Sequence, residues 1–132
     1  MRVLIAEDDK IGRKLLEKFF DQYGESDIAI DGIAALEAFI KSVETKSYYD
    51  LVCLDIMMPK MDGLKALAAM RDIEKKQQVK KENQARIVMI TALNDKKTVD
   101  DAYRLGCDAY AWKPIHLDRF REVLEELSLI EA

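Results

Sequence analysis

Five short runs rich in apolar residues alternate along this chain with five segments of helical period, and that alternation leaves few folds open. The runs are RVLIA (2–6), DIAI (27–30), DLVCLD (50–55), RIVMI (86–90) and AYAW (109–112). Three of them are apolar almost throughout, the pattern of strands covered on both faces. The first helical segment, about Lys10 to Gln22, aligns Ile11, Leu15, Leu16, Phe19 and Phe20, with Gly24 as its stop. The second, about Ile33 to Val43, aligns Leu36, Phe39, Ile40 and Val43. A third starts after Gly63 with Leu64, Leu67, Ala68 and Met70. The fourth runs from about Lys96 to Leu105 and ends at Gly106, a position suited to left-handed backbone. The fifth, about Leu117 to Leu127, turns Phe120, Val123, Leu124 and Leu127 inward. Strands alternating with helices predict βαβ units and a parallel sheet. Five units are too few to close an eight-stranded barrel, so the expected fold is α/β, an open doubly wound sheet. Ligands of such sheets bind at the carboxyl ends of the strands, near the switch in strand order.

Length and charge narrow the function. A chain of 132 residues predicts one domain, 1–132, large enough to bury a core. A net charge of -4 argues against general nucleic-acid affinity. Cys53 and Cys107 fit neither a zinc site nor a redox CxxC pair and read as reduced, buried thiols of a cytoplasmic protein. No apolar stretch approaches the ~20 residues that span a bilayer, and MRVLIAEDD lacks a signal-peptide pattern. The polar stretch IEKKQQVKKENQAR (73–86) lengthens the third helix or its following loop, and its interspersed Glu and Gln read as a solvated extension.

The chemistry collects at the strand ends. The third strand finishes on Asp55, inside LVCLDIMMPKMDG, and a buried carboxylate is costly unless paired, hydrogen-bonded or metal-bound. The first strand ends in Glu7, Asp8 and Asp9, the fourth in Thr91, and the fifth in Lys113 before Pro114. A parallel sheet puts all of these on one edge. Two carboxylates about 4 Å apart repel by roughly 4 kcal/mol at an effective dielectric of about 20. A hard divalent cation removes that conflict, and Mg²⁺ binds through one or two carboxylates plus phosphate oxygens and waters. Lys113 adds a fixed positive charge, and Thr91 a hydroxyl. Taken singly, each piece is an ordinary helix cap, helix approach or turn. Together they form a cradle for a phosphoryl group on an aspartate nucleophile.

In order along the chain, VLIAEDD, DLVCLDIMMPKMDG, IVMITA and GCDAYAWKP resemble the receiver domain of bacterial two-component response regulators, the CheY-like, flavodoxin-like fold. The resemblance covers essentially the whole chain and implies a (βα)5 sheet of strand order 2-1-3-4-5. It implies Asp55 as the phospho-acceptor. Asp8 becomes a direct Mg²⁺ ligand, Glu7 a ligand through water, and Met57 a ligand through its backbone carbonyl. Thr91 becomes the switch hydroxyl, Lys113 the phosphate-pairing lysine, followed by a bond to Pro114 that is usually cis, and Tyr110 the rotating aromatic. Asp9, one place later, reads as a helix cap. The implied donor is a sensor histidine kinase or phosphotransfer protein. The output is a change of partner affinity on the face of the fourth helix, fifth strand and fifth helix. The implied protein is no enzyme beyond its own phosphorylation and slow dephosphorylation, and it is a monomer or a phosphorylation-linked dimer. No effector domain follows the fifth helix, so a stand-alone regulator and a receiver cut from a longer protein are both open. The chain departs from the family pattern at Ile115, where Phe is common, and in its long third-helix region. His116 reads as a surface residue. Met57 and Leu93, each two residues after a site residue, are apolar and predict a long-lived phosphoryl group.

Two other readings compete. A small phosphatase with an Asp nucleophile, of the haloacid-dehalogenase type, would need a second Asp where Met57 stands, and a cap domain. A pseudo-receiver that only binds proteins would usually lack part of the set Glu7, Asp8, Asp55, Thr91 and Lys113, which is complete here.

Overall fold

The computed structural model describes all 132 residues. Five parallel strands form one sheet: β1 (Arg2–Ala6), β2 (Glu25–Ala29), β3 (Leu51–Leu54), β4 (Arg86–Thr91) and β5 (Ala109–Trp112). Their order is β2-β1-β3-β4-β5, as the resemblance implies. The helices are α1 (Lys10–Phe20), α2 (Gly32–Glu44), α3 (Gly63–Lys76), α4 (Lys96–Leu105) and α5 (Leu117–Glu126). Aspartates begin four of them: Asp9, Asp31, Asp62 and Asp95 each accept a hydrogen bond from a backbone N–H in the first turn. Such caps satisfy donors that a helix start leaves open. Gly106 ends α4 with φ +112°, as its place in the sequence predicts.

Alternate residues of the central strands feed two cores. Leu4, Val52, Leu54, Ile87 and Met89 join Phe39, Leu67 and Met70 under α2 and α3. Val3, Ile5, Leu51, Cys53, Val88 and Ile90 join Leu16, Phe19, Phe20, Phe120 and Leu124 under α1 and α5. The sheet is therefore wound on both faces. Phe19, Phe20 and Phe120 meet edge-on with centroids 5.2–5.8 Å apart.

Several expectations need correction. β2 starts two residues earlier than predicted and ends at Ala29. It pairs only with β1, and as an edge strand it leaves Ile28 and Ile30 exposed and carries Glu25 and Asp27, the charges that blunt an edge. α1 ends at Phe20, and its apolar face is narrower than predicted: Ile11 is 80% exposed and Leu15 exposed, because the row Gly12–Leu16–Phe20 faces the sheet instead. Leu127 caps α5 rather than extending it. The polar stretch 73–86 is not simply a solvated extension. α3 stops at Lys76, a short 3₁₀ turn spans Lys81–Asn83, and Glu74, Val79 and Ala85 are buried. Both cysteines are buried and free.

Candidate metal and phosphoryl site

Six polar side chains are buried, and three of them, Glu7, Asp55 and Thr91, stand at the carboxyl ends of strands. The ladder sets their positions. Glu7 N–H donates to Ala29 O at 3.0 Å, Asp55 N–H to Ala6 O at 3.0 Å, and Lys113 N–H to Thr91 O at 2.9 Å. Each of these three residues thus continues the sheet by one bond before its loop begins.

Lys113 answers the cost of burying Asp55. Its Nζ lies 2.7 Å from Asp55 Oδ2 and 2.5 Å from Glu7 Oε1. The contact with Asp55 is a directed hydrogen bond. That with Glu7 is an ion pair, and Lys113 is the one group that answers the buried Glu7 Oε1. Asp55 Oδ1 accepts Met57 N–H at 3.2 Å, and Glu7 Oε2 accepts Asp9 N–H at 3.2 Å. Burial pushes the Glu7 carboxyl up to about 7; Lys113 opposes that push and Asp55 adds to it. Burial pulls Lys113 down, but Asp55 and Glu7 outweigh it and the net shift is upward. The ammonium therefore stays charged at neutral pH.

Ligand atoms of Glu7, Asp8 and Asp55 all lie within 4.8 Å of one another. Three hard carboxylate donors, two of them buried, suit Mg²⁺ rather than a soft metal. Asp8 is the exposed member, and Met57, 61% exposed, stands beside the mouth. Thr91 is fully buried and its Oγ1 accepts Leu93 N–H at 3.4 Å. Tyr110 is buried too, and its hydroxyl donates to Leu93 O at 2.6 Å. Both expected switch residues therefore meet the backbone of Leu93. Asp9 caps α1 through Gly12 N–H at 2.9 Å. The Lys113–Pro114 bond is cis. His116 is exposed at the start of α5.

Sequence reasoning missed two groups near the site. Arg13 Nη1 donates to the carbonyls of Glu7 (3.2 Å) and Asp8 (2.9 Å), pinning the acidic turn. Lys60, with φ +69°, reaches to 3.6 Å from Asp31 Oδ2 and ties the loop after β3 to the start of α2. A basic residue one turn into α1 was the only available signal for Arg13.

An open sheet of this order, with three acids and a lysine gathered at its carboxyl edge, defines the class of receivers in two-component signalling. A family model for the response regulator receiver domain matches residues 3–125. The chemotaxis protein CheY of Treponema pallidum is 34% identical over 131 residues, covering 98% of this chain and 81% of that protein. Histidine kinase 5 of Arabidopsis thaliana is 30% identical over 146 residues, which take in 95% of this chain but only 15% of that kinase. Among solved structures, a chain of the CheX–CheY–BeF3–Mg²⁺ complex from Borrelia burgdorferi superposes with a TM-score of 0.82 at 29% identity, over 97% of this chain and 89% of that one. The chain belongs to the response regulator receiver domain family.

Proposed function

We propose that this receiver accepts a phosphoryl group on Asp55 from the phosphohistidine of a sensor histidine kinase or phosphotransfer protein in the cytoplasm. The observation that carries the reading is Lys113, whose ammonium touches both buried carboxylates at the strand ends. Asp8, Asp55 and the Met57 carbonyl would hold Mg²⁺ directly, and Glu7 through water. When bound, the ion offsets the negative charge of the acids and of the incoming phosphoryl oxygens. An oxygen of Asp55 forms the new P–O bond as the donor's P–N bond breaks, and the electron pair leaves with the imidazole. Lys113 holds the Asp55 carboxylate in place and keeps a positive charge next to the transferred group. The Thr91 hydroxyl is drawn toward that group and leaves Leu93 N–H. Tyr110, now bonded to Leu93 O, changes with it, and the surface of α4, β5 and α5 changes its partner affinity. The chemistry is confined to the chain's own Asp55 and to slow loss of the phosphoryl group.

Intact mass after incubation with acetyl phosphate tests this reading, with and without Mg²⁺ and with Asp55→Asn in parallel. One Mg²⁺-dependent phosphoryl adduct, missing in the variant, is expected. A folded wild-type protein that takes up no phosphoryl group would point to a receiver-shaped binding module.

A further inference from the structure

We propose that Arg13 is a positioning residue for the metal site: its guanidinium holds the peptide planes on either side of Asp8 and so aims a carboxylate that nothing else holds. The inference rests on the reading of Glu7, Asp8 and Asp55 as a Mg²⁺ site and extends it to a residue with no ligand atom of its own.

Asp8 differs from the other two acids. Glu7 and Asp55 are buried and touch Lys113, whereas Asp8 is exposed. Glu7 Oε2 and Asp55 Oδ1 each accept a backbone N–H, but no donor of the chain reaches the Asp8 carboxylate. The direction of that side chain is therefore left to its backbone, and Arg13 holds the backbone. The Arg13 N–H donates to Asp9 O at 2.9 Å, and its Nη1 donates to Glu7 O at 3.2 Å and to Asp8 O at 2.9 Å. Three successive carbonyls thus end on one residue. No backbone N–H reaches the carbonyl of Glu7 or of Asp8, so the guanidinium alone answers them. Peptide units are planar. Holding the C=O of Glu7 and of Asp8 therefore fixes the planes before and after the Asp8 α-carbon, and with them the direction of its β-carbon. The second of those planes also carries Asp9 N–H, the donor to Glu7 Oε2. One guanidinium thus sets two of the three acids relative to each other. Mg²⁺ demands near-ideal octahedral placement of its ligands, and a carboxylate with no tether of its own meets that demand only through a fixed backbone. Arg13 is itself positive, and by charge alone it would repel a cation. Positioning and charge therefore predict opposite signs when a neutral residue replaces it.

Calorimetric titration with Mg²⁺ alone tests this on wild type, Arg13→Gln, Arg13→Lys and Leu16→Val, with thermal melts in chelator. Arg13→Gln removes the charge and ends short of the two carbonyls. It is expected to lose roughly tenfold in Mg²⁺ affinity, the scale seen when groups that orient a ligand are disturbed, even though a repelling charge has gone. Arg13→Lys keeps the charge on a shorter stem and is expected to fall between Arg13→Gln and wild type. Leu16→Val trims the packing under the same helix without touching the acidic turn. It is expected to melt lower at unchanged Mg²⁺ affinity. An unchanged or raised affinity in Arg13→Gln, or a loss in Leu16→Val as large as that in Arg13→Gln, would overturn the inference and leave the site reading standing. Should Arg13→Gln not fold, Arg13→Lys decides: a weaker affinity supports the inference and the wild-type affinity overturns it. A wild-type protein that binds no Mg²⁺ would remove the site reading, and the inference with it.

Discussion

Met57 and Leu93 flank the Asp55 carboxylate and the Thr91 hydroxyl with apolar side chains, one exposed at the mouth and one half-buried. Neither side chain can orient a water molecule for attack on a phosphoryl group. Replacing them by Met57→Asn together with Leu93→Glu supplies such groups, and the adduct on Asp55 is expected to decay about tenfold faster or more, the scale of general acid–base assistance. The decay of the phosphorylated mass with time checks this; a double variant that decays no faster than the parent would sink it. Asp55, Thr91 and Lys113 were legible in the sequence because a parallel sheet brings like ends together whatever lies between them. Arg13 was not, because its partners are backbone carbonyls and no residue type announces a carbonyl.

At the scale of elements, the end of α3 is bolted to its neighbours by Arg71. Its guanidinium donates to Gly106 O (2.9 Å), Ala85 O (2.7 Å), Glu74 Oε1 (2.7 Å) and Asp108 Oδ2 (2.9 Å). Glu74 Oε2 in turn accepts Ala85 N–H at 2.8 Å, and Asp108 Oδ2 accepts Ile87 N–H at 2.8 Å. The cluster fastens α3, the end of α4 and the start of β4 together. Glu74 is 3% exposed, so Arg71→Ala strands a buried charge. The expected loss is about 3 kcal/mol or more, read as a lower urea midpoint at unchanged slope, and Glu74→Ala in the same chain is expected to restore part of it. This bolt was hidden in the sequence: Glu74 sits among Lys, Glu and Gln, and a charge in such company reads as solvated. α4, by contrast, spans the predicted residues, because a polar start and a following glycine bound it on both sides.

For the whole molecule, two separate cores share one sheet. Phe20 is fully buried under α1, and Phe39 is buried under α2 on the opposite face. Truncation of either to Ala is expected to cost about 3–5 kcal/mol. Because β1, β3 and β4 contribute alternate residues to both cores, neither face can loosen alone. Each variant is expected to unfold in one transition, with far-ultraviolet circular dichroism and Trp112 fluorescence coincident. Separate transitions would mean that the faces are independent. The two-sided architecture was legible from the unbroken apolar runs of β1, β3 and β4. The edge position of β2 was not, since Ile28 and Ile30 look like core residues until the pairing shows nothing beyond them.

The three ladder bonds that continue past β1, β3 and β5 have a consequence for how such a molecule tolerates change. They hand the geometry of Glu7, Asp55 and Lys113 to the sheet, not to the loops that follow. The opposite rim, with the turns after α2 and α3, carries none of that burden. One rim thus holds the acidic cluster and its lysine while the other, fastened by Arg71, holds only the packing, so a change of length there is felt as lost stability and leaves the cluster in place.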